Sequence, residues 1–472
     1  MEKKNSLTEG SLLNSLMTLS VPIILANLLH SAYQLTDTFW VGRLGPAAIA
    51  SVSISFPLIF LMISLGGSLN MAGTILVAQY KGKNNQRAIN HIAGQTLIVV
   101  FLISIILFAI GYFLTPSFIK LMGVQAEVFA DAVSYLKISF LGIIFLFIFF
   151  VFQFLMRGVG NVKLPLCIVL VTVLLNLILD PLFIFGYGWI PAMGVSGAAL
   201  TSVMTQGISA LAGLLVLFLG KNGIHIDTES LRFDFDLIKK MFKLGLPASI
   251  EQSARAIGLI VMTFLVATFG TVAIAAYGIG IRMFGFVFIP AMGLAMATST
   301  LVGQNMGAGK VKRAEKIVKI SIIVGTVSLT LAGILMFIFA PTLASLFIPG
   351  ETQTINSAAL LIRIVALTFG AIAIQQSING ALRGSGNTLV SMTLSIVALW
   401  VLRFPLAYIL SKHTGLAEVG IWIALPVSDV IAATIAFIWF SKGDWKKKKI
   451  TEEIKVNDRI NEETIIQQGT VN

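Results

Sequence analysis

Residues 171–189 read VTVLLNLILDPLFIFGYGW, an apolar run interrupted by Asn176, Asp180 and Pro181. An Asn and an Asp four residues apart share one face of a helix, and a helix otherwise this apolar has lipid as its natural solvent. A carboxylate at membrane depth costs roughly 2.5–3.5 kcal/mol on insertion scales, so it is retained where it holds an ion, a proton or a partner. The ring of Pro181 clashes with the carbonyl of Leu177 and frees that oxygen from the helical ladder. Together these groups resemble half of a small-cation site. The plainer alternative is a kinked helix whose Asp180 is satisfied by a neighbouring helix.

The rest of the chain has the same character. Hydrophobic residues make up 57% of its 472 residues and charged residues 11%, which excludes an ordinary soluble protein and predicts an all-α integral membrane fold. Spans of about 20 mainly apolar residues fall at 15–40, 48–79, 91–114, 131–156, 164–186 and 193–219. A second six fall at 240–267, 273–304, 315–340, 356–382, 389–411 and 416–441. The net charge of +12 is concentrated in alternate connections, at Lys81, Lys83, Arg87, Arg157, Lys163, Lys221, Arg232, Lys239, Lys240, Lys310, Lys312, Arg313, Lys316 and Arg383. The other connections carry little beyond Arg43, Lys120 and Lys412, so the positive-inside rule predicts two cytoplasmic termini in a cell membrane. The charge therefore reads as topology and not as nucleic-acid binding. The N-terminus shows no signal-peptide cleavage pattern and reads as a direct lead into the first span.

The polar stretch GKNGIHIDTESLRFDFDLIKK (220–240) divides the chain into two halves that align with each other. LSVPIIL pairs with LGLPASI, so that Pro22 matches Pro247; LVAQYKG pairs with LVGQNMG, and MRGVGN (156–161) with LRGSGN (382–387). Asp180-Pro181 then falls on Phe404-Pro405. Matched blocks in order mark a duplication. With six helices in each copy, both halves insert in the same sense, related by a pseudo-two-fold axis along the membrane normal with a cavity between them, which is transporter architecture. The expected domains are an N-terminal lobe (1–220), a cytoplasmic linker (221–239), a C-terminal lobe (240–441) and a cytoplasmic tail (442–472). In that tail Trp445 and the run Lys446 to Lys449 are expected at the anionic lipid surface.

Few ionisable residues lie within spans. Asp37 stands in a polar island, SAYQLTDTFWVG (31–42), with Tyr33, Gln34, Thr36 and Thr38. Oxygens from Asp37, Asn176 and Asp180 suit Na⁺, whereas one proton shared by two close carboxylates suits H⁺ equally. Thr201, in GVSGAALTS at the start of the sixth span, is a candidate further oxygen, though small hydroxyl residues also serve helix packing. In the seventh span Glu251 and Arg255 are four apart and able to neutralise one another. Alternatively Glu251, with Gln252 beside it, faces a cavity as a substrate or secondary proton site, in company with Gln34 and Tyr33. Arg282, Arg363, Arg403 and Asp429 read as cross-helix pairs or interfacial residues. Asp37 and Asp180 have Met262 and Phe404 as repeat counterparts, so the carboxylate pair exists in the first half alone. The single Cys167 and four His exclude a disulfide framework and a cysteine-ligated metal site. No nucleophile elbow, phosphate loop or metal-ligand cluster marks an enzyme, and no cofactor is expected.

These features resemble the multidrug and toxic compound extrusion (MATE) family. The resemblance rests on LTDTFWVGRLGP (35–46), the pair LVAQYKGKNNQRA (76–88) and LVGQNMGAGKVKRA (301–314), MRGVGN with LRGSGN, and NLILDPLFIFGYG (176–188) followed by GVSGAALTS (194–202). It implies a cation-coupled antiporter that lets Na⁺ or H⁺ inward and expels amphipathic, often cationic, organic compounds, working as a monomer without nucleic acid. Asp37, Asn176 and Asp180 match the polar cation site of that family's N-terminal lobe, and Thr201 a hydroxyl position beside it. Where some branches carry an acid in the tenth span, this chain has Gln375 and Gln376. The alternative reading is a flippase for a lipid-linked saccharide or peptidoglycan precursor, which Arg255, Arg282 and Arg403 favour and the two carboxylates oppose.

Overall fold

The computed structural model describes residues 7–448 and 450–453. Among them every regular element is helical. The chain runs through α1 (Leu12–Gly42), α2 (Pro46–Gly66), α3 (Ser68–Gly82), α4 (Gln86–Leu121), α5 (Ala126–Val159), α6 (Lys163–Phe185) and α7 (Val195–Leu219). It continues with α8 (Phe235–Ala267), α9 (Thr271–Gly307), α10 (Val311–Ile338), α11 (Ala340–Ser345), α12 (Thr352–Ala366) and α13 (Phe369–Gly384). Last come α14 (Thr388–Ile396), a π-helical stretch (Val397–Arg403), α15 (Phe404–Lys412), α16 (Glu418–Lys442) and the short α17 (Ile450–Glu453). Eleven helical segments are long and apolar enough to cross a membrane, and the pair α12 and α13, bent by 52°, makes a twelfth. The twelve expected spans are thus all present, the tenth as a broken helix.

The chain forms two compact units. Among the described residues, an N-terminal unit comprises Leu25–Ser249 with Ile450–Glu453, and a C-terminal unit comprises Leu7–Ile24 with Ile250–Lys448. α1 and α8 each change unit partway, just past the paired prolines Pro22 and Pro247.

In the N-terminal unit α5 is the central helix, packed against α2, α3, α4 and α7. Its Phe140, Phe147 and Phe152 are fully buried, and each seats on a glycine. A Cβ on Gly111, Gly66 or Gly213 would fall 2.5, 2.4 and 2.8 Å from the respective rings. Small residues here let aromatic side chains and helices approach where lipid supplies no hydrophobic drive for association. The linker folds onto this unit. Ile224 and Ile226 are buried, the Gln95 side chain donates to the carbonyls of Ser230 (3.0 Å) and Arg232 (2.6 Å), and His91 Nε2 lies 3.1 Å from Asp234. Burial opposes ionisation of Asp234, but hydrogen bonds from the Leu237 amide and His91 outweigh it and hold its pKa below the usual carboxylate value.

In the C-terminal unit α9 packs on α10, α12 and α13. Backbones nearly touch, since a Cβ on Gly380 would lie 2.3 Å from the Ala295 carbonyl and one on Gly384 2.2 Å from that of Ser299. Residues 7–10 dock on the same unit through Asn305, Lys310 and Arg313, which donate to the carbonyls of Leu7, Thr8, Glu9 and Gly10. Trp445 does not lie at a lipid surface as expected. It is fully buried and stacked on Phe440 (5.2 Å), and its indole N–H donates to the Phe440 carbonyl (3.2 Å). Lys446 pairs with Glu315 at 2.8 Å, and Lys447 with Asp444 at 2.8 Å. The expectation failed because an amphipathic Trp beside lysines reads alike whether its ring meets lipid or folds back on its own helix. Of the expected tail, residues 449 and 454–472 lie outside the described residues.

Candidate functional site: a buried carboxylate cluster

The buried face of α6 carries Pro165, Val169, Thr172, Asn176, Asp180 and Ile184, a helical repeat of three and four residues, while Val171, Leu174, Leu177 and Ile178 point outward. Asn176 and Asp180 are 0% exposed. Asn176 Nδ2 donates to Asp180 Oδ1 at 2.9 Å, and the Thr201 hydroxyl of α7 donates to the same oxygen at 2.5 Å. Thr201 is itself fully buried, brought close by Gly197, whose Cβ position lies 2.4 Å from the Phe183 carbonyl. A larger residue there would push α7 off α6.

The second carboxylate comes from α1. Asp37 is 8% exposed, and Asp180 and Tyr135 of α5 are near enough to act on it electrostatically. Tyr33, one turn earlier, donates to Ser202 Oγ at 2.7 Å and lies 3.4 Å from Thr205 Oγ1, both on α7. Four helices of one unit therefore converge on two acids, an amide, two phenols and three hydroxyls. Three buried oxygens of this cluster have no hydrogen-bond partner among the described residues: Asp37 Oδ1, Asn176 Oδ1 and Asp180 Oδ2. Orphaned acceptors in an apolar interior are costly. A hard cation with oxygen ligands would satisfy them together, and a proton on one acid would supply a donor to one neighbour.

The structure thus brings together Asp37, Asn176, Asp180, Thr201 and Tyr33. Gln34 and Gln252 are exposed. Glu251 is 1% exposed and lies in the other unit, where one oxygen accepts from Arg383 (2.7 Å), Ser395 (2.8 Å) and Arg255 (2.9 Å). Sequence reading missed Tyr135, Ser202 and Thr205, and it took Arg383 for a marker of a cytoplasmic connection. A tyrosine in the phenylalanine-rich α5 gives no periodic signal of its own. Arg383 could have been found from its position at the end of an apolar span, within reach of an acid on another helix. Arg403 and Asp429 form the cross-helix pair that their positions suggested.

Comparison with known proteins adds context to this geometry. The MatE family model matches the chain twice, over residues 22–182 and 247–409, starting at the two prolines that the internal alignment pairs. The probable multidrug resistance protein YoeA of Bacillus subtilis (strain 168) is 30% identical over 95% of this chain and 97% of its own. The probable multidrug resistance protein NorM of Thermotoga maritima is 27% identical over 94% of this chain and 95% of its own. Among solved structures, a MATE protein crystallised in complex with MaL6 superposes with a TM-score of 0.88 at 23% identity, covering 95% of this chain and all of that one.

Proposed function

The chain belongs to the MatE family of membrane transporters, and from that premise we propose that it is an antiporter exchanging Na⁺ or H⁺ for amphipathic, often cationic, organic compounds. Its work is translocation, not covalent catalysis. The observation that carries the proposal is the set of three unpartnered buried oxygens on Asp37, Asn176 and Asp180. A structural carboxylate in lipid is expected to end with its acceptors satisfied. Here three acceptors are left without a donor among the described residues, which fits a site that fills and empties.

In the proposed cycle the ion-free acids favour a conformation that takes up the organic compound from the cytoplasm. Ion entry from outside neutralises the cluster, repacks α1, α6 and α7 and lowers affinity for the compound. Differential ion affinity between the two states is the sole source of drive, and one charge moving down 100 mV supplies roughly 2.3 kcal/mol. Thr201 holds Asp180 in its rotamer, and Tyr33 ties α1 to α7 so that a change at the ion site is felt along both. The protein is proposed to act as a monomer in the cell membrane with both termini cytoplasmic.

The test is efflux of a fluorescent organic cation from proteoliposomes with Na⁺ and H⁺ gradients imposed separately, for wild type, Asp37→Asn and Asp180→Asn. Efflux driven by one gradient and lost in either variant supports the proposal. Gradient-driven efflux that survives both substitutions contradicts it.

A further inference from the structure

The C-terminal unit holds a cavity of about 90 Å³ that belongs to none of the chemistry above. Its walls mix aliphatic, aromatic and thioether side chains, among them Leu361, Val365, Tyr277, Met283, Phe284 and Met336, and its charged lining residues are Arg403 and Asp429. We propose that this cavity is a second small-molecule site, for a neutral single-ring aromatic compound bearing one hydroxyl group that hydrogen-bonds the Arg403–Asp429 pair.

Three observations carry the proposal. Arg403 donates to Asp429 and, through Nε, to Ser428 Oγ at 3.0 Å, and both charged side chains are largely buried. A buried ion pair of this kind is no more stabilising than apolar residues of the same volume, so packing alone does not account for it. Secondly, Arg403 closes the π-helical stretch Val397–Arg403, in which the Phe404 amide donates to the Leu399 carbonyl five residues back. Pro405 displaces the carbonyl four residues before it, but Pro181, its repeat counterpart, sits in an unbroken α-helix. Proline therefore does not by itself require the widened turn, and π turns concentrate at functional sites. Here the turn delivers Arg403 to the cavity. Thirdly, Tyr277 is held in place by stacking on the fully buried Trp422, at 5.9 Å and 11°.

The chemistry selects the ligand. A guanidinium and a carboxylate side by side offer a donor and an acceptor, which a hydroxyl matches at once, whereas an ion of either sign meets a like charge. The aromatic and methionine part of the wall favours a flat polarisable ring, and the aliphatic part excludes further polar groups. The volume is below the roughly 150 Å³ of an apolar cavity that admits benzene, so one ring is the upper limit and the Met283 and Met336 side chains must give way. Leu259 and Ile281, partly exposed at 52% and 36%, mark the mouth at the surface of the unit.

The experiment is fluorine NMR titration of the full chain in nanodiscs with 4-fluorophenol, 4-fluorobenzoate and 4-fluorobenzylamine. The expected result is saturable binding of 4-fluorophenol at least tenfold tighter than either charged probe. Binding should fall tenfold or more in Val365→Phe, which fills the cavity, and in the paired replacement Arg403→Met with Asp429→Leu, which leaves no stranded charge. Asp37→Asn should leave it unchanged, separating this site from the carboxylate cluster. Non-saturating partition of 4-fluorophenol, equal in wild type and in whichever of the two cavity variants folds, would overturn the proposal, as would tighter binding of a charged probe.

Discussion

Asp180 receives two donors on one oxygen and none on the other, and that asymmetry sets what each substitution should do. Thr201→Val removes a hydrogen bond to a charged group, a loss of about 1.5–3 kcal/mol, and should weaken coupling-ion affinity roughly tenfold or more with little change in folding. Equilibrium ion binding to purified variant protein checks this. Glu251→Gln strips the shared partner from two guanidiniums and should cost about 3 kcal/mol of stability, read as a lower thermal midpoint. Gln252→Ala, on an exposed side chain, should not move that midpoint. Asn176 and Asp180 were legible in the sequence because four-residue spacing in an apolar helix leaves them no other face. Asp37 was legible from its polar surroundings. Tyr135, Ser202 and Thr205 were not, because a phenol or hydroxyl in a span satisfies ordinary packing as readily as a site.

At the scale of elements, close backbone approach is the recurrent device. Gly384→Ala puts a methyl group 2.2 Å from the Ser299 carbonyl and should destabilise the α9–α13 contact by about 1–3 kcal/mol. Leu389→Ala, at 61% exposure, serves as the control in the same thermal assay. The docked linker gives a pH-dependent prediction. The pKa of Asp234 is lowered by folding, so its contribution is present above the unfolded carboxylate pKa and is lost as pH falls through the folded value, in the acid range below about 4. The carboxylate is partly exposed, so the contribution after solvent screening is on the order of 0.5–1 kcal/mol. Hydrogen exchange of residues 224–234 should quicken in Asp234→Asn at neutral pH and converge with wild type in acid. Helix number and order were legible because twelve apolar runs have little alternative to spanning. The break at Gly67, the α12–α13 bend and the π turn were not, since hydropathy reports burial in lipid and says nothing of hydrogen-bond register. Pro405 was visible in the sequence, but its counterpart Pro181 shows that a proline does not fix the outcome.

Across the whole chain, the duplication seen in sequence recurs as two matches to one family model, yet the two copies hold different chemistry. The N-terminal unit buries an unpaired pair of carboxylates. The C-terminal unit buries acids already matched by arginines, Glu251 with Arg255 and Arg383, and Asp429 with Arg403. The repeat comparison had indicated this divergence, with Asp37 facing Met262 and Asp180 facing Phe404. In the proposed cycle ion and organic compound compete through Asp37 and Asp180. The most direct measurement is ion release at equilibrium: an organic cation is added to purified, de-energised protein, and displaced protons and displaced ²²Na⁺ are counted. Competition predicts stoichiometric release of one of the two ions from wild type and none from Asp37→Asn/Asp180→Asn. Saturable binding of the organic cation with no ion displaced from wild type, or equal displacement from the double variant, would contradict it.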